Sequence, residues 1–392
     1  MPKLLQINAT ANWGSTGRIA EQIGLAAMAR GWESCIAYGR YANTSESQTI
    51  KIGSYPGVIE HYLENRLIDN EGLASRSATR ELITEIKNWS PDIIHLHNIH
   101  DHYVNYEILF DYLNSNDIPV VWTFHDCWAF TGHCHYFDSV DCERWKTNCF
   151  DCPLNRDLLD RSSRNYQKKS MCFKSCGNLT IVPVSDWLGS LVKESFLKEK
   201  PISVIHNGID LKVFSPQLSN SKSRYRILGV SNVWDERKGL RDFILLRQIL
   251  SDECEIVLLG LNKQQIKRLP DSITGIERTT SLNKLIELYS SADVLVNPTY
   301  ADTFPTVNLE ALACGTPVIT YKTGGSPEAI DEETGIVVEQ GDVRGLAEAV
   351  LRLKEQPLSR EACRARAERL FDKDKCFEKY ISLYESLLAD KN

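Results

Sequence analysis

The sequence predicts an α/β protein made of two consecutive doubly wound parallel sheets. Apolar runs of four to six residues alternate with stretches of helical periodicity along most of the 392-residue chain, as expected for strands buried on both faces between helices. The polar, proline-containing segment SPQLSNSKS at 215–223 breaks the series near its middle and reads as a linker. Residue types divide too: all nine histidines precede Asn207, and seven of the twelve cysteines lie between Cys127 and Cys176. Halves so different in titratable side chains are expected to have different duties.

Taken in order, KLLQINA reads as a buried strand, and WGSTGRIAEQIGLAAMARG as a loop leading into an amphipathic helix. Strand ESCIAYG follows, then a helix over 76–88, strand DIIHLHN after Pro91, and strand IPVVWTFHD. A less regular, Cys-rich insert fills about 127–176, after which LTIVPVS, a helix and PISVIHNGID resume the pattern. Beyond the linker come YRILGVSN, a helix from about Gly239, and CEIVLLG. A helix over 281–291, strand DVLVNP, a helix over 306–314 and strand PVITY complete the core, and 343–389 reads as helical. The expected division is an N-terminal domain 1–214 with its insert, a C-terminal domain 215–372, and a last helix in 373–392 packing back on the N-terminal domain. No internal repeat or low-complexity segment is visible.

Composition narrows the function classes. Hydrophobic residues at 42% and charged residues at 25% are ordinary for a globular chain. The net charge of −7, with no long block of one sign, argues against a dedicated nucleic-acid binder. MPKLLQINATANWGSTG has too short an apolar run for a signal peptide, and no stretch approaches the roughly 18 apolar residues of a membrane span. The expected location is cytoplasmic, with at most peripheral contact at the inner face of a membrane. RSSRNYQKKSMCFK, with Arg161, Arg164, Lys168, Lys169 and Lys174, fits an anionic membrane surface or a solvated helix face.

The most informative segment is ADVLVNPTYADTFPTVNLEALACGTPVITYKTGGSPEAI. Its strand ends in a loop, Pro305 suits an early helix position with Asp302 or Thr303 as cap, and Gly315–Thr316–Pro317 ends the helix. A helix start offers free N–H groups and a positive dipole end, which suit a diphosphate. Gly324–Gly325–Ser326–Pro327 is expected to repeat the arrangement as a glycine turn before a second capped start. Asp302 and Glu310 flank the first start and can accept hydrogen bonds from sugar and ribose hydroxyls; an isolated pair of this kind also reads as ordinary helix-cap and surface acids.

This segment resembles the signature of retaining GT-B glycosyltransferases of family four (glycosyl transferases group 1), a Glu-x7-Glu followed by a Gly-Thr-Pro turn. IHNGIDLKVFSP at 205–216 resembles the family's domain junction, and SNVWDERKGL its phosphate-binding loop. The resemblance covers most of the chain and is weakest in the Cys-rich insert. It implies the GT-B fold, two Rossmann-like doubly wound domains facing a central cleft, acceptor on the N-terminal side and nucleotide sugar on the C-terminal side.

The implied activity is a hexosyltransferase of the retaining type, moving a sugar from a UDP- or GDP-sugar to a hydroxyl of a glycan or lipid-linked saccharide in surface polysaccharide biosynthesis. The resemblance places Glu310 on the donor ribose, Asp302 on the transferred sugar, Lys238 on the phosphates with Arg237 beside it, and Thr303, Phe304, Thr306 and Val307 around the sugar-facing turn. Pro305, in the same turn, has no N–H to give. Gly14 and Gly17 would meet the diphosphate from the other side, His125 would sit near the reacting sugar, and Arg18, Asn98, His100 and His102 would line the acceptor pocket. Two departures bear on the choice of sugar: Asp302 replaces the family's first Glu, and Thr303–Phe304–Pro305 replaces a Gly-Phe-Gly-like turn. In this family a phosphate oxygen is thought to take the acceptor's proton, so catalysis rests on placement and charge stabilisation with no cofactor required.

Cys134, Cys142, Cys149 and Cys152 lie close together in GHCHYFDSVDCERWKTNCFDCP. The final Cys-x-x-Cys has metal-ligand spacing, and four thiolates suit a structural zinc; Cys127, His133, His135, Cys172 and Cys176 are substitutes, and reduced thiols packing a small core are the bland alternative. A GT-B enzyme that is not a transferase would share the fold. A zinc-dependent regulatory or binding module would depend on the cysteines and be indifferent to Glu310. A dinucleotide-binding dehydrogenase is disfavoured, because Gly-x-Gly-x-x-Gly is missing after the first strand.

Overall fold

The computed structural model describes residues 1–137, 140–155, 158–217, 224–279 and 281–390. Residues 218–223 of the expected linker lie outside these. The chain forms two compact units, Met1–His206 with Phe377–Asn392, and Asn207–Cys376.

In the first unit six strands, β1 Lys3–Asn8, β2 Glu33–Tyr38, β3 Gln48–Lys51, β4 Ile93–Leu96, β5 Val120–Phe124 and β6 Leu179–Pro183, form one sheet in the order 3-2-1-4-5-6. Every pairing in it is parallel. Parallel neighbours need crossovers, which the intervening helices supply. The order reverses direction between β1 and β4, and doubly wound sheets bind ligands at such a point, beyond the carboxyl ends of the strands. The core of this unit gathers Leu4, Ile23, Ile93, Val121 and Val182 with Tyr380, Ile381 and Tyr384 of the last helix, Lys373–Ala389. The tie is polar as well as apolar: the Tyr384 hydroxyl lies 2.6 Å from His95 Nδ1, and Thr123 Oγ1 donates to the Tyr380 hydroxyl at 3.0 Å.

The second unit repeats the plan with β7 Tyr225–Val230, β8 Cys254–Leu261, β9 Ile273–Glu277, β10 Val294–Asn297, β11 Val318–Tyr321 and β12 Gly335–Val338. Their order is 12-11-10-7-8-9, all parallel. Ile227, Phe243, Leu246, Ile256, Val294, Ile319 and Val350 form its core. The predicted pair of Rossmann-like α/β units is therefore what the chain adopts.

Several elements differ from expectation. PISVIHNGID is no strand: it runs extended beside β6, Ser203 N donating to Ile181 O and Ile205 N to Pro183 O, and has only isolated bridges, Ile202 with Ile181 and Ile209 with Asp372. β3, β9 and β12 were not foreseen; β3 lies at the sheet edge with mostly exposed side chains, and so lacks an apolar run. The Gly14–Gly17 loop is already helix, for Gly14–Ala29 starts at the first glycine.

Candidate active site

The donor-side candidates lie in the second unit, at the carboxyl ends of β7 and β10. After β7 a single 3₁₀ turn, Glu236–Lys238, is capped by Asp235, whose carboxylate accepts from Lys238 N at 3.1 Å. Gly239 follows at φ +70°, and a Cβ there would stand 2.3 Å from Pro298 O. Only glycine permits both that backbone and that approach, which brings the Lys238 turn against the loop after β10. Tyr300 N donates to Arg237 O at 2.7 Å and fastens the two loops. Lys238 Nζ then lies 2.6 Å from Asp302 Oδ2, both side chains largely buried.

Asp302 bridges two elements, because its other oxygen, Oδ1, accepts from Phe304 N at 3.3 Å. Pro305 is not inside the helix as expected: it is the cap residue itself, extended at ψ 117°, and the helix is Thr306–Ala313. Asp302 therefore caps the turn ahead of the helix. The amide of Phe304 is spent on Asp302, Thr303 and Phe304 are buried, and Thr306 and Val307 are half-buried at the helix start. Glu310, one turn in, accepts from the Tyr289 hydroxyl at 2.7 Å. Arg237 leans towards Asp235, with Nε and Oδ2 3.9 Å apart.

A buried polar network holds this helix start. Asn297 Nδ2 donates to Asn308 Oδ1 at 2.9 Å, Asn308 Nδ2 to Ser326 Oγ at 3.0 Å, and Ser326 Oγ lies 2.6 Å from Thr320 Oγ1. Sequence reasoning missed Asn297 and Asn308, which look like ordinary helix and strand residues, and gave Ser326 the wrong duty. The segment after Gly324–Gly325 is a four-residue 3₁₀ turn with no side-chain cap, and its serine points into the network. Buried amides and hydroxyls so paired fix one geometry.

The acceptor-side candidates lie in the first unit, beyond β4 and β5. Gln6 Nε2 donates to Ala20 O at 2.8 Å, which turns its oxygen towards His97 Nε2, 3.0 Å away. His97 thus carries its proton on Nε2 and accepts at Nδ1 from His125 Nε2, 3.2 Å away, leaving Nδ1 as the acceptor nitrogen of His125. Burial holds His97 well below its ordinary value; it also lowers His125, to about 4, although Asp126 pulls the other way. Both rings are therefore neutral at pH 7.

Beside them is a charged cluster. His100 Nε2 and His135 Nδ1 lie 2.9 and 3.2 Å from the same Asp126 oxygen, and His135 Nε2 is 3.7 Å from Glu71 Oε1. Burial works against charge on His100, but Asp126 and Asp101 outweigh it and raise it to about 9. His102, next to Asp101 with φ of 70° and 75°, stacks between the rings of His61 and Tyr62 and is lowered by burial. Consecutive left-handed backbone at non-glycine residues is strained and is usually found where a site requires it. Asn98 is held by its backbone, its N–H donating to Asn8 Oδ1 and its carbonyl accepting from Tyr103. Glu71, Asp126 and Asp101 were not foreseen; Glu71 sits in a turn that carries no motif.

Arg18 is exposed, and Gly14 faces open space at φ +70°. Gly17 has a packing reason instead, since a Cβ there would stand 2.5 Å from Thr10 Oγ1. The basic stretch is not one solvated face. In the helix Ser162–Lys174, Lys169 is buried with Nζ 2.8 Å from Trp128 O and over its indole, and Lys168 pairs with Glu107. No helix among the described residues is long and apolar enough to cross a membrane.

Comparisons with known proteins agree with this architecture. Residues 16–213 match the family model of Glycosyltransferase Family 4, and residues 224–356 that of Glycosyl transferases group 1. WcaC of Escherichia coli (strain K12), named as a glycosyl transferase of colanic acid biosynthesis, is 25% identical, over 98% of this chain and 100% of that protein. CapM of Staphylococcus aureus, a capsular polysaccharide biosynthesis glycosyltransferase, is 27% identical over 54% of this chain and 62% of that protein. Among solved structures, sucrose-phosphate synthase from Thermosynechococcus elongatus superposes with a TM-score of 0.74 at 19% identity, covering 100% of both chains. HepE of Anabaena, solved with UDP, gives 0.65 at 14% identity, covering 98% of this chain and 100% of that one. These likenesses identify the fold as GT-B. The chain belongs to glycosyltransferase family 4, its second half to the group 1 glycosyl transferases, and it is a glycosyltransferase enzyme.

Proposed function

We propose that this enzyme transfers a hexose, with retention of configuration, from a UDP- or GDP-sugar to a hydroxyl of a glycan or lipid-linked saccharide during surface polysaccharide synthesis. The observation that carries the reading is the Lys238–Asp302 contact of 2.6 Å beside the free start of the helix Thr306–Ala313. A fixed cation and a helix N-terminus are what a departing nucleoside diphosphate needs. Asp302 would accept from hydroxyls of the transferred sugar, and Glu310 from the donor ribose. On this reading Gly14 lies against the diphosphate, and the acceptor is oriented by Asn98, His100, His102 and His125. The phosphate takes the acceptor's proton, so the reaction proceeds without a catalytic cofactor. Relatives named for colanic acid and capsule synthesis support the pathway class.

The lipid-linked form of the acceptor is supported by the helix Tyr55–Ile68. Tyr55, Ile59, Tyr62, Leu63 and Leu67 are exposed on it, at spacings that put them on one face. Leu158, 76% exposed, stands beside that face, because its N–H donates to Arg66 O. An exposed apolar stripe of this kind suits peripheral contact with a bilayer.

The test is a donor panel followed by anomer analysis of the product by NMR. Turnover with one UDP- or GDP-sugar and a product of the donor's own anomeric configuration is expected; an inverted product ends the retaining assignment. For the membrane component, co-sedimentation with phosphatidylglycerol vesicles should be lost in Leu63→Asp/Leu67→Asp, and equal sedimentation of both proteins would refute it.

A further inference from the structure

Residues 125–161, between β5 and the helix Ser162–Lys174, are held by little regular structure: 3₁₀ turns such as Trp128–Phe130 and Arg144–Lys146 are what the described part contains. Their small apolar centre is Phe130 and Phe137 on either side of Trp145, with ring centroids 5.2 and 5.1 Å from it. So small a centre is weak support for so long a segment. Beside it Cys134, Cys142, Cys149 and Cys152 all open into one small cavity, closed by Phe137, Trp145 and Phe150.

Two of the four sulfurs already stand as metal ligands would: Cys134 Sγ and Cys152 Sγ lie within 4.8 Å of each other and of the His133 imidazole, while Cys142 and Cys149 line the same cavity without completing a group that tight. Cys134 Sγ and Cys152 Sγ stand 3.4 Å apart, both as free thiols. Thiolates at about 2.3 Å from a tetrahedral zinc would be about 3.8 Å apart, so this pair needs only a few tenths of an ångström of opening, and Cys142 and Cys149 close in from the cavity wall to complete the four. Cys149 Sγ accepts from Gly132 N at 3.2 Å, a bond that steadies a coordinated thiolate. Gly132 must be glycine for this, since a Cβ would meet Ser162 O at 2.7 Å. His133 lies at the edge of the group, its imidazole within 4.8 Å of both Cys134 Sγ and Cys152 Sγ. Its Nδ1 is 3.1 Å from the wholly buried Asp69, but it does not line the cavity, and its Nε2 is buried without a hydrogen-bond partner.

We propose that this insert binds one structural zinc ion through Cys134, Cys142, Cys149 and Cys152, with His133 as an outer neighbour of the Cys152 thiolate. Binding converts four thiols to thiolates and releases their protons to solvent, with no change of oxidation state. The ion would also fix the strip His133–Cys134–His135. Its central residue becomes a ligand while its flanking imidazoles reach Asp69 on one side and Asp126 and Glu71 on the other. Zinc would thus hold His135 in the cluster beside His125 without taking part in any transfer step.

The experiment is metal analysis of the full-length reduced protein, with cobalt replacing zinc for spectroscopy. About one zinc per chain is expected, with thiolate-to-cobalt absorption of the intensity that four sulfurs give. Cys134→Ser and Cys152→Ser should lose the metal, while His133→Ala and the remote Cys35→Ser keep it. Where a serine variant fails to fold, stripping the wild type with a strong chelator should release the zinc and change Trp145 fluorescence, while nucleotide binding by the second unit persists. Absence of stoichiometric metal, its retention in Cys152→Ser, its loss in His133→Ala, or a Cys134–Cys152 disulfide in the purified protein would each overturn the proposal. None of these outcomes bears on whether the enzyme transfers sugar, which the donor panel decides separately.

Discussion

The ammonium of Lys238 and the carboxylate of Asp302 lie 2.6 Å apart, though 64 residues separate them in sequence. Gly239 makes the contact possible by letting its turn touch Pro298, and the Phe304 amide holds the second carboxylate oxygen. Each Asp302 oxygen thus has one protein partner and can accept a further hydrogen bond, so on the proposed reading a sugar hydroxyl can join Lys238 there.

Lys238→Met should lower kcat about 10²–10³-fold, the usual cost of removing one charge-stabilising donor. Asp302→Glu should shift the ratio of kcat/KM values between donor sugars more than it changes nucleotide affinity. Steady-state kinetics on two sugars of the same nucleotide checks both. An unchanged sugar ratio in Asp302→Glu would remove Asp302 from the sugar site.

The Gln6–His97–His125 chain fixes a tautomer. Nitrogen-15 NMR of the protein at pH 7 should show His125 neutral and protonated on Nε2. His97→Gln should change the tautomer mixture and reduce kcat with little effect on KM for the donor. Finding His125 protonated on Nδ1 in the wild type would contradict the chain.

Stability should be greatest near pH 6.5. His125, lowered to about 4, and His61, lowered by burial to about 3, stay neutral in the folded state while the unfolded chain protonates below about 6.5. Their contribution is lost as pH falls from there. His100, raised to about 9 against burial by Asp126 and Asp101, keeps its proton while the unfolded chain loses it, so its contribution is lost as pH rises above 6.5. Between pH 6.5 and 8, before the buried Lys169, lowered by burial to about 8, begins to titrate in the opposite sense, His100 alone should contribute a decline of about 1–2 kcal/mol, and His133 and His135, raised against burial by Asp69 and by Asp126 and Glu71, add to it. Urea unfolding across pH 5–8 measures this, and His100→Gln should make the alkaline decline shallower without abolishing it.

Tyr384→Phe removes the hydroxyl 2.6 Å from the buried His95. It should cost about 1–3 kcal/mol, the price of an unsatisfied buried polar group, seen as a lower urea midpoint with unchanged slope. No loss would mean that His95 finds another partner.

What was legible in the sequence, and what was not, follows from how local each feature is. The β10–loop–helix segment could be read because its helix start, carboxylates and closing Gly315 lie within a few residues of one another. Lys238 stands out in the sequence by the glycine and the cation beside it, but its contact with Asp302 lies too far along the chain to be inferred from spacing. The His100–Asp126–His135–Glu71 cluster joins three separate connections, and Glu71 sits in a turn with no motif. His97 looks like any strand-end histidine until the Gln6 amide is seen to set its proton. PISVIHNGID has a strand's composition but runs along the sheet edge with only isolated bridges, at Ile202 and Ile209.

The central claim is that the second unit holds a nucleoside diphosphate at Lys238 and the start of Thr306–Ala313. Isothermal titration of UDP and GDP into the wild type and Lys238→Met tests it most directly. One nucleotide should bind with a stoichiometry of one per chain and weaken at least tenfold in the variant. Failure of both nucleotides to bind, or equal affinity for wild type and variant, would contradict the account.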